Sequence, residues 1–168
     1  MDEIARQIEP LIPGLRRYAF ALTRDHEAAD DLVQDCLERV VSRWHLRRRD
    51  GDLRAWVYTI QRNLFVNEYH RRRRRGVAVA LEDACVPPVA PGQSQAVELG
   101  EVMAALDGLP EEQKSILLLV GVEELTYQET AGVLGLPLGT VMSRLSRARA
   151  RLRALLEPER AMPLRRVK

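Results

Sequence analysis

Cysteines, aromatic residues and long apolar runs are all scarce in this sequence, and each scarcity excludes a class of protein. Aromatic residues make up 5% of the 168 residues, and β-branched runs are short, so helix is favoured over sheet. The two cysteines, Cys36 and Cys85, are too few for a disulfide framework and lack the spacing of metal ligands. The longest apolar run, Ile116 to Val122, falls far short of the roughly 18–20 residues that span a bilayer. Because the N-terminus also lacks a signal-peptide pattern, we expect a soluble intracellular protein.

Charge is distributed unevenly along the chain, although the net charge is only +2. Residues 138–168 hold nine Lys or Arg against two acidic residues, whereas residues 98–137 hold one basic residue against eight acidic ones. Residues 71–75 are five consecutive arginines. Local basic segments of this kind are typical of proteins that bind polyanions.

A proline-rich segment divides the chain into two helical units. Residues 76–97 contain no Lys or Arg, and the run PPVAPG at residues 87–92 interrupts the helical patterns on either side. We therefore predict an all-α fold of two small helical domains, residues 1–75 and 98–157, joined by a flexible linker. The basic tail, residues 158–168, is expected to be mobile.

Apolar residues repeat at helical spacing in both units. The N-terminal unit shows three amphipathic stripes, within segments 11–22, 29–44 and 53–64. Asp25 is the predicted N-cap of the second of these helices. The C-terminal unit is predicted to contain four helices, the second of which begins at Pro110.

The segment from Leu125 to Leu152 gives the strongest functional signal. Thr126 and Glu129 have the spacing of a capping box, and Gly135 is placed to end the short helix that they begin. Pro137 then falls in the first turn of a long helix that continues to about Leu156. A short capped helix, a tight turn and a long helix form the layout of a helix-turn-helix, whose second helix enters the DNA major groove.

Helical geometry sorts the residues of this long helix onto two sides. The predicted apolar side holds Leu138, Val141, Met142, Leu145, Ala148, Leu152 and Leu155. The opposite side holds Thr140, Ser143, Arg144, Arg147 and Arg151. Arginine can bond guanine, and both arginines and hydroxyls can bind phosphates, so we interpret this side as a DNA-binding surface. A solvated basic face on an ordinary bundle helix is the alternative.

Two surfaces of the N-terminal unit also suggest binding. One is an acidic face on the second predicted helix, formed by Asp31, Gln34, Asp35 and Glu38. It is either a docking surface for a basic partner or a solvated face. The other is a strip on the third helix, formed by Arg54, Tyr58, Arg62, Phe65 and Tyr69. An exposed strip of this composition can stack on unpaired bases and bind the backbone, although Phe65 is equally consistent with a core position.

These motifs, in this order, resemble the extracytoplasmic-function sigma factors of bacterial RNA polymerase, which belong to the sigma-70 family. The sequence AADDLVQDCLERV, residues 28–40, is similar to the segment that docks on the β′ coiled coil of the polymerase. The sequence LRAWVYTIQRN, residues 53–63, is similar to the segment that opens the −10 element. Residues 109–152 are similar to the region that recognises the −35 element. The resemblance extends over nearly the whole chain, up to about Leu156.

The resemblance implies a role for each surface. Core polymerase would be contacted by Asp31, Leu32, Gln34, Asp35 and Glu38. The −10 element would be bound by Arg54, Tyr58, Arg62, Asn63 and Asn67, and the −35 element by the polar side of the long helix. Asn63 would border the pocket for a flipped base, which the loop 45–52 would help to form. A helical wheel places Asn63 and Asn67 at the edge of the apolar stripe, where packing or capping is the alternative role.

The resemblance also implies partners. These are core RNA polymerase, through its β′ coiled coil and β flap, promoter DNA, and an anti-sigma factor that occludes both domains. The linker would thread toward the active-site and RNA-exit path, although its two acidic residues, Glu82 and Asp83, make any mimicry of nucleic-acid charge weak. Neither a cofactor, nor a metal, nor a small-molecule substrate is implied.

Two other functions compete with this one. A stand-alone helix-turn-helix regulator would leave the acidic face and the aromatic strip of the N-terminal unit without a use. An enzyme acting on nucleic acid would need paired carboxylates, a phosphate-binding loop or a metal-ligand cluster, and the sequence shows none of these. The three histidines, His26, His45 and His70, are scattered and expected on surfaces. The sequence therefore predicts a sigma factor of the bacterial cytoplasm that has no catalytic activity.

Overall fold

The computed structural model describes residues 2–48, 51–74 and 93–157. These ranges contain eight α-helices and no β-strand, which confirms the predicted all-α fold. The helices are α1 (Asp2–Ile8), α2 (Ile12–Thr23), α3 (His26–Ser42), α4 (Leu53–Arg74), α5 (Gln93–Asp107), α6 (Glu111–Gly121), α7 (Tyr127–Leu134) and α8 (Leu138–Leu156). Short 3-10 turns occur at Glu9–Leu11 and Trp44–Leu46.

The N-terminal unit has one helix more than the three apolar stripes predicted. Helix α1 precedes Pro10, and the proline lies at the start of the 3-10 turn, where a missing backbone N–H is tolerated. The chain therefore turns from α1 into α2 instead of beginning its first helix at the proline. Asp25 is confirmed as the N-cap of α3, because its carboxylate accepts a hydrogen bond from the Ala28 backbone N–H at 2.6 Å.

Helices α7 and α8 form the predicted helix-turn-helix. The capping box is complete: the Thr126 hydroxyl accepts from the Glu129 N–H at 3.2 Å, and the Glu129 carboxylate accepts from the Thr126 N–H at 2.6 Å. Gly135 ends α7 with φ of +63°, in the left-handed region that glycine adopts without strain. Pro137 is the N-cap of α8, one position before the first turn in which it was predicted.

The apolar residues form two buried clusters. The larger contains residues of both units, such as Leu15 and Val57 from the first and Leu119 and Leu125 from the second. Helix α2 packs on α6, and α4 packs on α7, so the two units form one packed body. The smaller cluster lies beneath α8 in the C-terminal unit and consists of Ile116, Ala131, Val141, Leu145 and Ala148.

Cys36 is a core residue, as predicted. It is fully buried, and its thiol donates a hydrogen bond to the Val57 carbonyl oxygen at 3.7 Å. Burial raises the pKa of the Cys36 thiol to about 12. Because the thiolate is the reactive form, burial and the raised pKa both lower the reactivity of this cysteine.

Some of the sequence predictions fall outside the described residues. These are the linker up to residue 92, the tail after residue 157, residues 49–50 of the predicted pocket loop, and Cys85. Helix α5 begins at Gln93, so residues 93–97 belong to a helix and not to the predicted linker. Within the described ranges, each helix is too short or too polar to cross a bilayer.

Candidate nucleic-acid interface

Helix α8 presents the predicted DNA-binding side outward. Val141, Leu145 and Ala148 are buried against α6 and α7, which fixes the rotation of the helix. Ser143 and the two arginines Arg147 and Arg151 are then exposed, whereas Thr140 and Arg144 are half-buried. None of the five predicted residues lies in the core.

The predicted apolar side of α8 is too wide. Leu138 is 42% exposed, Met142 52% and Leu155 44%, so their assignment to the core stripe is wrong. Helices α6 and α7 cover only the narrow strip centred on Val141 and Leu145, and a helical wheel does not show how wide the covering surface is. Met142 instead lines a shallow groove, together with Tyr127, Leu145, Ser146, Arg149, Ala150 and Arg153.

The polar side of α8 makes short, local contacts. The Ser143 hydroxyl donates to the Thr140 carbonyl oxygen at 3.1 Å, and Arg147 Nε donates to the Ser143 carbonyl oxygen at 3.3 Å. Arg144 forms an ion pair with Glu112 in which the two side chains are 32% and 60% exposed. Because a solvent-accessible pair of this kind contributes at most about 1 kcal/mol, the Arg144 side chain can leave Glu112 at little cost.

The predicted −10 strip on α4 is not exposed. Tyr58 is 1% exposed, the Arg62 side chain is 13% exposed and Arg54 is half-buried, so the expectation of a solvent-facing strip is wrong. Helix α7, which belongs to the other unit, packs on α4. A helical wheel correctly groups residues on one side of α4, but it cannot show that a second unit covers that side.

Glu123 is the centre of the contact between the two units. It is 1% exposed, and its carboxylate accepts hydrogen bonds from Arg17 Nε at 3.2 Å and Arg17 Nη2 at 3.0 Å. The Tyr58 hydroxyl donates to the same carboxylate at 2.7 Å, and Arg54 donates to the Glu123 backbone carbonyl oxygen. Burial raises the pKa of Tyr58 well above its usual value, and the hydrogen bond to Glu123 adds to the increase, so this hydroxyl stays protonated and donates.

Sequence reasoning missed Glu123 and Arg17. Glu123 and Glu124 are adjacent acidic residues before the capping box, and nothing in the pattern distinguishes them. In the structure Glu124 is exposed and takes a positive φ of 53°, and this turn of the backbone accompanies the burial of its neighbour.

Further polar contacts also join the two units. Arg62 Nη2 lies 3.6 Å from Glu111 Oε2, and the buried Tyr18 and Ser115 hydroxyls are 3.1 Å apart. The Asp107 carboxylate, at the end of α5, accepts a hydrogen bond from Arg24 Nε of the N-terminal unit at 2.9 Å. It also accepts one from Lys114 Nζ, within its own unit, at 2.5 Å. Burial lowers the pKa of Lys114, and its contact with Asp107 opposes that change. Arg62 Nε is buried without a hydrogen-bond partner among the described residues.

The far end of α4 is more accessible. Asn63 and Asn67 are exposed, whereas Phe65 and Tyr69 are half-buried and stack with ring centroids 6.2 Å apart. Phe65 also packs against the large core cluster, so of its two predicted roles the structure favours the core. The two asparagines are therefore the members of the predicted −10 set that solvent reaches freely.

The acidic face on α3 is exposed as predicted. Asp31, Gln34, Asp35 and Glu38 are exposed, and the Gln34 side chain donates to the Glu38 carboxylate at 3.2 Å. Leu32 is only 9% exposed and belongs to the large core cluster. It lies on the side of α3 that faces the core, so the exposed part of the predicted polymerase-contacting set is the acidic face alone.

The three histidines do not form a site. All three are exposed, and His26 stacks on Phe20 with ring centroids 4.4 Å apart. Among residues 2–48, 51–74 and 93–157, no group of three or more His, Cys, Asp or Glu side chains is arranged to hold a metal ion.

Comparison with known proteins matches both units. Residues 8–61 match the family described as the Sigma2 domain of PhyR, and residues 99–152 match Sigma-70, region 4. The chain is 38% identical over 155 residues to the ECF RNA polymerase sigma factor EcfG of Rhodopseudomonas palustris, covering 92% of this chain and 86% of that protein.

Solved structures share the fold. The sigma factor RpoE from Bartonella quintana, crystallised with the anti-sigma factor NepR, superposes with a TM-score of 0.80 at 30% identity, covering 94% of this chain and 98% of that one. CnrH, solved in complex with the cytosolic domain of CnrY, superposes with a TM-score of 0.72 at 24% identity, over 93% of this chain and 88% of that one. The second likeness concerns the fold alone.

Proposed function

The chain belongs to the extracytoplasmic-function family of RNA polymerase sigma factors, and from that premise we propose which of its surfaces contact the polymerase and the promoter. As an alternative sigma factor, it directs core RNA polymerase to promoters and initiates transcription there. The observation that supports the proposal most strongly is the outward face of α8, on which Arg147 and Arg151 are exposed beside Ser143.

The C-terminal unit, residues 98–157, recognises the −35 element through α8. Two exposed arginines one turn apart can contact base edges or successive phosphates of one groove. Thr140 and Ser143 supply short hydroxyl contacts at the start of the helix, which is the end that contacts base edges in helix-turn-helix proteins. Arg144 adds a third arginine to this DNA-binding face once its ion pair with Glu112 breaks.

The N-terminal unit, residues 1–75, contacts the −10 element through α4. Arg54 and Arg62 supply positive charge, and Tyr58 supplies an aromatic ring that can stack on an unpaired base. Asn63 and Asn67 are already exposed on the same helix. In this structure Arg54, Tyr58 and Arg62 face the C-terminal unit, so they reach DNA only after the two units separate.

The acidic face of α3 docks on core polymerase. Its four exposed residues are Asp31, Gln34, Asp35 and Glu38, and three of them carry a negative charge. A compact anionic patch suits a basic partner surface, because complementary charge accelerates association and opposes wrong partners. The chain has no catalytic activity of its own in this scheme, and it works in the bacterial cytoplasm, where the polymerase is.

Charge reversal on the acidic face tests the docking surface. Replacing Asp35 with lysine should weaken binding to core polymerase by roughly tenfold or more, since like charges then face each other. Fluorescence anisotropy of the labelled chain, titrated with core polymerase, measures the affinity, and run-off transcription reports the loss of initiation. Glu101→Lys is the matched control, because Glu101 is also an exposed acidic residue and lies on α5. Equal losses of affinity for core polymerase in the two variants would contradict a docking role for α3.

An inhibitory protein partner is part of the proposal. RpoE of Bartonella quintana was crystallised with the anti-sigma factor NepR, and this chain shares its fold over nearly its whole length. We expect the chain to bind an inhibitor of the same kind. NepR from Bartonella quintana is the probe: it should co-elute with this chain in size-exclusion chromatography and reduce run-off transcription. Separate elution at micromolar concentration would contradict a NepR-type inhibitor.

A further inference from the structure

The apolar side of α5 is only partly covered by the rest of the described chain. Leu99, Val102, Met103 and Leu106 follow one another at spacings of three and four residues. They therefore share one side of the helix, which we call the α5 stripe. Met103 and Leu106 pack in the large core cluster, whereas Leu99 and Val102 are exposed. The α5 stripe thus continues beyond the edge of the packed body.

The last turn of α8 lies beside the end of α5. Leu152 packs against the large cluster, while Leu155 and Leu156 are exposed. A Cβ atom on Gly108, the residue that follows α5, would lie 3.3 Å from Leu155 Cδ1, and the two helices are in contact. The chain that continues after α8 therefore starts next to α5, with further exposed leucines at its root.

The basic tail that follows α8 is complementary in composition to the exposed half of α5. Its sequence PERAMPLRRVK, residues 158–168, holds four basic residues against one acidic residue, and a methionine, a leucine and a valine lie between the basic ones. Glu98 lies four residues before Val102 and so borders the α5 stripe, and Glu101 is exposed one turn further on. Carboxylates beside exposed apolar side chains suit a segment that is both cationic and apolar.

Helix α8 itself is an unfavourable surface for the basic tail. Arg147 and Arg151 are exposed on one side of this helix, and Arg149 and Arg153 are exposed on another. Like charges repel, and α5 contains no Lys or Arg at all. Of the two helices that meet where the tail begins, α5 is therefore the one that attracts it.

The basic tail is long enough to reach the whole α5 stripe. Leu99 precedes Gly108 by nine residues, which is about 14 Å along a helix that rises 1.5 Å per residue. Eleven extended residues span up to about 36 Å. Because a short tether gives an effective concentration on the order of 1 mM, a contact with a dissociation constant of about 0.25 mM is formed about four-fifths of the time. A weak contact is therefore sufficient.

From this complementarity we infer that the basic tail binds back on the exposed half of the α5 stripe and forms a displaceable cover of the C-terminal unit. Its basic side chains pair with Glu98 and Glu101, and its apolar side chains cover Leu99 and Val102. A protein partner that binds this apolar surface has to displace the tail, because both use the same side chains. Neither of the proposed DNA-binding surfaces takes part in this contact.

Thiol labelling of the full chain measures how often the α5 stripe is covered. Val102→Cys, in a chain that also carries Cys85→Ser, places a thiol in the middle of the proposed contact, and an uncharged maleimide reports its exposure. Cys36 is buried, and the chain without the new cysteine gives the background rate. Ala104→Cys is the matched control, because Ala104 is exposed on the opposite side of the same helix.

Two variants of the basic tail weaken the cover by different means. Arg165→Gln with Arg166→Gln removes two charges, and Met162→Ser with Leu164→Ser removes apolar contacts at constant charge. Each should raise the labelling rate of Val102→Cys by about threefold to fivefold, because the rate scales with the open fraction, and leave the control cysteine unchanged. The variant at constant charge separates covering from any effect of the arginines on the pKa of the thiol. Circular dichroism checks that each variant keeps the helix content of the parent chain.

Three results would overturn the cover. An unchanged labelling rate of Val102→Cys in both tail variants would mean that the basic tail leaves α5 uncovered. Equal increases at Val102→Cys and Ala104→Cys would mean that the tail affects the whole helix and does not cover one side of it. The rate in the parent chain should be independent of protein concentration, and a rate that falls as the concentration rises would assign the cover to a second copy of the chain.

Discussion

Replacing Arg147 and Arg151 together with alanine should lower run-off transcription from a promoter of this sigma factor by roughly a hundredfold. Each arginine is exposed on the outward face of α8, and an arginine contact to a base or phosphate contributes about 1–3 kcal/mol. About 1.4 kcal/mol corresponds to a factor of ten, so a joint loss of about 2.8 kcal/mol, within the range of two such contacts, corresponds to a hundredfold effect. Quantitative run-off transcription with saturating core polymerase measures the loss.

A double variant of the same helix provides the control. Arg149 and Arg153 are also exposed, but they line the groove on the other side of α8. Arg149→Ala with Arg153→Ala removes the same charge from the same helix and should leave transcription within about threefold of the parent, because distant surface charges act weakly at physiological salt. If both double variants lose activity equally, α8 attracts DNA only through its total charge, and the assignment of one face to the −35 element is wrong.

The local structure of the helix-turn-helix could be predicted from sequence because its signals are short-range. The Thr126–Glu129 capping box, the left-handed Gly135 and the N-cap at Asp25 each depend on bonds within a few residues along the chain. Such bonds form whatever the rest of the protein does. The starts of α3 and α7 and the end of α7 followed from them.

The surroundings of each helix face could not be predicted in the same way. The periodicity of α4 placed Arg54, Tyr58 and Arg62 together, and the structure agrees that they share one side. What covers that side is α7 and the segment around Glu123, which are more than sixty residues away in sequence. Amphipathic pattern reports the composition of a face, and only the tertiary arrangement decides whether the face meets water or protein.

At Leu32 the family resemblance and the helical periodicity give different expectations. The family resemblance placed it with the acidic residues of α3 as a polymerase contact, although its own position on the apolar stripe indicates burial. The structure supports the periodicity: Leu32 is a member of the large core cluster. A resemblance points to a segment of the chain, whereas helical geometry indicates which side chains of that segment are exposed.

Replacing Leu145 with alanine should lower the free energy of unfolding by about 2–5 kcal/mol, whereas the same replacement at Met142, one turn earlier on α8, should change it by less than about 0.5 kcal/mol. Leu145 is 3% exposed within the cluster beneath α8, and Met142 is 52% exposed. The sequence pattern assigns both residues to one apolar side. Comparing the two variants therefore shows whether the periodic pattern or the actual burial determines the loss of stability. Urea unfolding of each full-length variant gives the midpoint of its transition. The midpoints are compared when the free energy of unfolding falls with urea at the same slope in both variants.

Equal losses at the two positions would mean that something covers Met142 in solution, and the narrow covering of α8 by α6 and α7 would then be wrong. A small loss at Leu145 would mean that the site collapses around the missing atoms, since the cost of such a cavity depends on how far its neighbours can relax. Ile116 and Val141 are both fully buried in the same cluster. Since protein interiors are close-packed and these neighbours are fully buried, little relaxation is expected, and the loss should lie within the stated range.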